Sequence, residues 1–182
     1  MQKDDDLIHE ILEFWFSDRV KPMWFNSTPA FDDELRQRYE KVWGLARAGT
    51  FDHWESEPEG ALALVIILDQ FPLNMFRQHA RQYSTEAHAR KIAGAAIEQG
   101  LDQQLTPAQQ AFLYLPFMHS ESIADQDRAV KLYEKAGLKE NLGFAIHHRD
   151  VVKHFGRFPH RNQFLGRSST PEELEYLKKA NW

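Results

Sequence analysis

An uninterrupted apolar run, Ala61 to Leu68, is the feature that most constrains the fold of this 182-residue chain. A helix that carries this run is apolar on every side, so it must be buried all round at the centre of the molecule. The run could equally form a strand. We favour a helix over about residues 59 to 70, because the sequence has no second strand-like run that could pair with it.

Signals for helix starts recur along the rest of the chain. They are the acidic Asp4–Asp6, Thr28-Pro29, Ser84, and the capping-box spacings Thr106 to Gln109 and Thr170 to Glu173. Two large aromatic residues, Trp24 and Phe25, fall between the first two helices, and we expect both to fill the core. The sequence predicts an all-α fold of about eight or nine helices in a single domain over residues 1–182.

Composition narrows the function class. The chain has no cysteine, which excludes disulfides, thiolate metal sites and a cysteine nucleophile. MQKDDD at the start does not have the pattern of a signal peptide, and no apolar run approaches the ~20 residues of a membrane helix. The net charge of −5 disfavours nucleic-acid binding. We therefore expect a cytoplasmic protein that binds neither membrane nor nucleic acid.

One cationic segment, His147 to Arg167, stands out in this acidic chain. It holds four of the nine histidines, and five Lys or Arg against one acid give it a charge of +4, which leaves −9 for the remainder. Such a segment is either an anion-binding site or half of an internal salt-bridge system. His148 lies on its apolar stripe, so we expect a core histidine with a neutral, hydrogen-bonded ring.

Two Phe-Pro pairs, Phe71-Pro72 and Phe158-Pro159, follow predicted helices. Proline disfavours α geometry in the residue before it, so each pair is expected to end a helix and begin a turn. Asp69 would then lie at the C-terminus of the buried helix, where the dipole disfavours an anion. It should therefore have a partner, for which Arg77 is the nearest candidate, or line a pocket.

Four motifs carry a resemblance to a known family. They are LDQFPLNMFR (68–77), YLPFMHSE (114–121), FGRFPHRNQFLGR (155–167) and STPEE (169–173). In this order they resemble the bacterial domain-of-unknown-function family 924. The resemblance implies stacked antiparallel helical hairpins, similar to tetratricopeptide-repeat proteins, and implies no activity. Leu73 departs from the family pattern, which usually has Arg or Lys there.

Three functions are compatible with these residues. The first, which we favour, is binding of a small anionic ligand or a peptide carboxylate near the Phe-Pro-His-Arg-Asn turn, because arginine forks suit carboxylate and phosphate. The second is a hydrolase-like enzyme with a His–carboxylate pair for general acid–base catalysis. The third is a protein–protein scaffold whose motif residues are structural. The ligand-binding candidates are Arg77, His119, Arg157, His160, Arg161 and Asn162, and the catalytic candidates are Asp69, His119, Glu121 and His160.

No motif for a metal, a nucleotide or another cofactor is present in the sequence. We accordingly predict no metal and no cofactor. The sequence leaves the oligomeric state open.

Overall fold

The structure is a computed structural model that describes residues 2–179, and over that range it is helical without a strand. The α-helices are α1 (Gln2–Trp15), α2 (Pro29–Arg47), α3 (Pro58–Val65), α4 (Phe71–Met75), α5 (Glu86–Glu98), α6 (Pro107–Met118), α7 (Ile123–Lys135), α8 (Lys139–Phe155) and α9 (Pro171–Leu177). A π-helix, Ile66–Gln70, joins α3 to α4. The predicted all-α class is confirmed.

The described residues form two compact units. Unit 1 comprises residues 2–77 and 81–116, and unit 2 comprises residues 78–80 and 117–179. The boundary along the chain falls inside α6.

Unit 1 is built around the apolar run. Every residue from Ala61 to Leu68 is fully buried, as the sequence predicts. In this unit α3 packs against α1 and α5, while α4 packs against α2. Aromatic rings complete the core, with the Phe71 ring centroid 5.6 Å from that of Trp15 and 4.7 Å from that of Tyr39.

The π-helix changes the expected role of Phe71-Pro72. The helical path does not end there, because Pro72 lies in the first turn of α4 and the path continues to Met75. Phe71 N–H donates to the carbonyl of Ile66, five residues back, so the hydrogen-bond register shifts just before proline, which has no N–H to donate. The prediction that this pair ends a helix is wrong, and Asp69 therefore does not lie at a helix C-terminus.

Two other local predictions need correction. Phe25 is 77% exposed, and of the Trp24-Phe25 pair only Trp24 packs inward, where its Nε1 donates to the Trp15 carbonyl at 2.9 Å. Ser84 does not cap α5. Thr85 occupies the N-cap position, and its hydroxyl donates instead to the Leu68 carbonyl at 2.5 Å.

In unit 2, α7 packs against α8. A small core cluster of this unit consists of Val151, Val152 and Phe158, with Phe155 and Tyr176 packed against them. The Thr170–Glu173 capping box opens α9 as predicted. This core holds the cationic segment in place, because Phe158 belongs to both.

Within residues 2–179, the structure contains no helix whose length and apolar character would allow it to cross a bilayer.

Gly60 tests the packing of the buried helix. A Cβ atom at Gly60 would lie 2.3 Å from the Trp54 carbonyl oxygen, which is backbone and cannot move aside cheaply. We expect Gly60→Ala to lower the free energy of unfolding by about 1–3 kcal/mol in urea denaturation. Gly44→Ala is the matched control, since nothing lies within 4 Å of its added Cβ. Gly44→Ala should stabilise α2 by about 0.5–1 kcal/mol, and equal losses in both variants would contradict this account.

Candidate functional site

The cationic turn follows the end of α8. Gly156 ends that helix in the left-handed region (φ 71°), and its N–H donates to the Val152 carbonyl. A short 3-10 helix, Pro159–Arg161, comes next, so this second Phe-Pro pair does begin a turn. Phe158 and Asn162 are buried, which fixes the turn against the core of unit 2.

Arg157 forms a two-pronged ion pair with Glu173 at the start of α9. Its Nε lies 2.7 Å from Oε1, and its Nη2 lies 2.9 Å from Oε2. Glu173 is only 2% exposed, and it also accepts from the Thr170 N–H at 2.8 Å and from Asn162 Nδ2 at 3.2 Å. The hydrogen bond from Arg157, followed by that from Thr170, lowers the pKa of Glu173 to about 2 although burial opposes this.

Arg167 forms a second two-pronged pair, with Glu121. The distances are 2.7 Å from Nη1 to Oε2 and 2.8 Å from Nη2 to Oε1. Glu121 Oε1 also accepts from the Phe158 N–H at 2.7 Å. Burial alone would raise the pKa of Glu121, but the hydrogen bonds from Arg167 and Phe158 lower it.

Asn162 connects the two pairs. Its Oδ1 accepts from Arg167 Nε at 2.9 Å, and its Nδ2 donates to Ser169 Oγ at 3.0 Å as well as to Glu173. We call this set of Glu121, Arg157, Asn162, Arg167 and Glu173 the clamp. It joins three of the four sequence motifs within unit 2.

Histidine rings surround Phe158 beside the clamp. The ring centroids of His148 and His160 each lie 5.6 Å from that of Phe158. Burial lowers the pKa of His148 to about 4 and that of His160 to about 3, so both rings are neutral at pH 7. His148 Nδ1 lies 2.8 Å from the Phe144 carbonyl oxygen and donates to it, so the ring is neutral and hydrogen-bonded as the sequence predicts. The side chain is only partly buried, and Phe144 is exposed, so His148 lies at the edge of the core and not within it.

Arg161 and His119 meet at the same place. The Arg161 guanidinium lies over the Phe158 ring, 4.8 Å from its centroid, and Nη2 donates to the His119 carbonyl oxygen at 2.9 Å. Of the sequence candidates, the structure therefore brings together His119, Glu121, Arg157, His160, Arg161 and Asn162 in unit 2.

The remaining candidates, Asp69 and Arg77, belong to unit 1. Arg77 does not pair with Asp69. Its Nε donates to Asp32 Oδ2 at 2.6 Å, and its Nη2 donates to Asn74 Oδ1 at 2.8 Å. Asp69 is buried and accepts from Gln70 Nε2 at 2.5 Å.

Sequence reasoning missed two carboxylates. The sequence predicts Glu173 only as part of a capping box and indicates no role for Asp32. A signal for Glu173 was present: its capping box follows the cationic segment directly, so a short loop brings the two together. Asp32 lies 45 residues before Arg77, and nothing local in the sequence connects them.

The family model for the bacterial proteins of unknown function, DUF924, matches residues 11–181. The chain belongs to this family. A solved structure of a protein of unknown function from Agrobacterium tumefaciens is similar to this DUF924 protein over 97% of its length and 99% of that chain, with 41% identity and a TM-score of 0.92. A comparison with curated proteins finds no match.

The clamp can be tested through Glu173. Its pKa is about 2 in the folded protein against an ordinary 4.5, so the folded state holds a proton there more weakly than the unfolded chain does. The stabilisation is complete above pH 4.5 and is lost as the pH falls towards 2. We expect Glu173→Gln to lower the free energy of unfolding by about 1–3 kcal/mol at pH 7 and to flatten its pH dependence in this window.

The neighbouring Glu172 supplies the control. Its side chain is 70% exposed and contacts only His154 among the described partners, so Glu172→Gln should leave stability and its acid limb nearly unchanged. If urea denaturation between pH 2 and 7 gives the same curves for both variants, Glu173 does not hold unit 2 together.

Proposed function

We propose that this DUF924 protein is a non-catalytic protein-interaction module whose motif residues hold the fold. The observation that carries the proposal is the clamp, in which Arg157 and Arg167 each bind a carboxylate of the same unit through two hydrogen bonds. The motif cations therefore act as structural ion pairs, which is the third of the functions that the sequence allows.

Binding of an anion at the turn is less well supported. A phosphate or carboxylate would have to displace Glu173 or Glu121 from its arginine. Glu173 also accepts hydrogen bonds from the Thr170 N–H and from Asn162 Nδ2, and it lies in the first turn of α9. Displacing it from Arg157 would therefore leave a buried carboxylate without a cation. An entering ligand would lose most of its binding energy to that cost.

Acid–base catalysis is also disfavoured. A general base works best when its pKa lies near the operating pH. The pKa of His160 is about 3, and Glu121 is held as a carboxylate by Arg167. His160 and Glu121 therefore lack the poised proton that a hydrolase mechanism needs.

Unit 2 also leaves large apolar side chains in solvent. Phe144 of α8 is 63% exposed and Ile123 of α7 is 44% exposed. Both helices are long enough to present such side chains to a partner. These side chains are available for contact with a partner, which is compatible with an interaction role.

A double-mutant cycle tests the structural role of the second pair. We expect Glu121→Gln and Arg167→Gln each to lower the free energy of unfolding, and the double variant to lose less than the sum. The coupling should be about 1–3 kcal/mol, as for contacting residues in one network. Additive losses in urea denaturation would show that the two side chains do not stabilise each other.

A thermal-shift panel tests the function itself. We expect inorganic phosphate, succinate and peptides with a free C-terminal carboxylate to leave the melting temperature unchanged. A ligand at 100 times its Kd would add ~2.7 kcal/mol of stability, which is readily detected. Lys153→Ala, which removes an exposed cation of α8, serves as the control for Arg161→Ala. One result would overturn the proposal in favour of an anion site. In it, a ligand raises the melting temperature of the Lys153→Ala variant but not that of Arg161→Ala, while both variants are stable without ligand.

A further inference from the structure

The helix α9 is held in unit 2 by a charged residue rather than by an apolar face. Among its seven described residues, Pro171–Leu177, only Glu173 is buried. Tyr176 and Leu177 are half-buried, and Leu174 is 52% exposed. A helix of this length is not stable alone in water, so α9 depends on its contacts with unit 2 for its structure.

The surface that receives α9 has a polar part and an aromatic part. Arg157 and Asn162 bind the Glu173 carboxylate, and the ring centroid of Phe155 lies 5.0 Å from that of Tyr176. We call Phe155, Arg157 and Asn162 the α9 docking surface. Beside it, an open groove of about 460 Å³ is lined by residues of both α8 and α9, so the two helices are not closely packed.

The turn that carries Arg157 and Asn162 has support that is independent of α9. The Phe158 N–H donates to Glu121 Oε1 at 2.7 Å, and the Phe158 carbonyl accepts from Arg167 Nη2 at 3.2 Å. Arg167 also donates to Asn162 Oδ1 at 2.9 Å. These bonds do not involve α9, so α9 can leave while the turn stays anchored to Glu121.

Exchange of a whole helix avoids the penalty that disfavours a free anion at this place. A free anion would displace the Glu173 carboxylate from Arg157 and leave it buried without a cation. When α9 leaves as a unit, Glu173 enters water with it, and a glutamate of the incoming segment takes its place on Arg157. The surface therefore favours a segment that brings both a carboxylate and a helix.

The sequence of α9 shows which segment fits. Thr170 Oγ1 accepts from the Glu173 N–H at 3.2 Å and Glu173 Oε2 accepts from the Thr170 N–H at 2.8 Å, so the capping box fixes the carboxylate at the helix start. Tyr176 lies three residues further on, which places it on the same helix face as Glu173. The matching pattern is Ser or Thr, Pro, any residue, Glu, any two residues, and an aromatic residue.

We propose that the α9 docking surface binds a short helix of this pattern from a partner protein, and that α9 occupies the surface until the partner replaces it. The inference rests on the proposed function, because it gives the partner of the interaction module. The groove beside α8 provides the difference in affinity. Val151 and Phe155 contribute apolar surface to it, which larger apolar side chains of a partner would cover in addition to the contacts that α9 makes.

Amide hydrogen exchange of the wild-type chain tests whether α9 is released separately. The N–H groups of Leu174 and Lys178 donate to carbonyls of Thr170 and Leu174, and Val151 and Val152 are buried in α8. We expect the α9 amides to be at least about tenfold less protected than those of Val151 and Val152, and to respond less to low urea. Equal protection with equal urea dependence would show that α9 opens only when the unit unfolds, and would overturn the proposal.

A fluorescent peptide of residues 168–179 tests docking from a separate molecule. The acceptor is the full chain with Glu173→Gln and Tyr176→Ala, which weakens its own α9 and leaves the docking surface unchanged. We expect the peptide to bind this acceptor at least about tenfold more tightly than the wild type, because the attached α9 competes at a millimolar effective concentration. Equal binding to both chains, or to neither, would overturn the proposal. Circular dichroism checks that the acceptor is folded, and Tyr176→Ala alone replaces it if it is not.

Matched substitutions show whether the carboxylate is recognised at its own position. In the peptide, Glu173→Gln should weaken binding at least about tenfold, as expected for loss of a buried charged hydrogen bond. Glu175→Gln gives the same change in charge at a side chain that is 56% exposed, and should keep the affinity. In the acceptor, Arg157→Gln should lose the peptide and Lys153→Gln should keep it. Equal losses within either pair would indicate general charge attraction and overturn the site.

The remaining outcomes separate this inference from the proposed function. A wild-type dimer in light scattering that Glu173→Gln abolishes would assign the surface to α9 of a second copy, and would overturn the assignment to a partner protein. Failure of the peptide to bind would overturn the docking surface without altering the coupling between Glu121 and Arg167. An anion that raises the melting temperature through Arg161 would overturn the proposed function without altering the exchange of α9.

Discussion

Burial of Glu173 as a charged carboxylate is the constraint on which unit 2 depends. Removing a carboxylate from water costs several kcal/mol unless its oxygens are satisfied. Arg157, Asn162 and the Thr170 N–H satisfy them together, and each comes from a different part of the segment between α8 and α9. The Glu173 side chain therefore fixes the short loop, the capping box and the buried turn. As a consequence, Phe158 is held in the small core cluster.

The second constraint is that a proline lies within a buried helical segment of unit 1. Pro72 lacks an N–H, and an α-helix interior would leave a carbonyl without its partner. The π-helix at Ile66–Gln70 moves the register by one residue, so that α4 starts anew at Phe71 with proline in its first turn. The polar residues of this stretch, Asp69 and Asn74, are buried and form local hydrogen bonds.

The distribution of charge bears on recognition. The sequence indicates that the positive residues of the cationic segment could bind an anionic ligand. In the structure, however, Arg157 and Arg167 already form ion pairs with Glu173 and Glu121. The turn that residue type alone marks as an anion site is therefore occupied by the protein's own carboxylates.

Most of the helices, two capping boxes, the buried apolar run and the neutral ring of His148 could be predicted from the sequence, because these depend on residues a few positions apart. It failed at Phe71-Pro72, because a register shift inside a helix has no marker in hydrophobic spacing. It also could not determine which charges meet. Glu121 and Arg167 are 46 residues apart, and Asp32 and Arg77 are 45 apart. Only the tertiary structure decides such pairs, since Coulomb interaction depends on distance in space and not on periodicity along the chain.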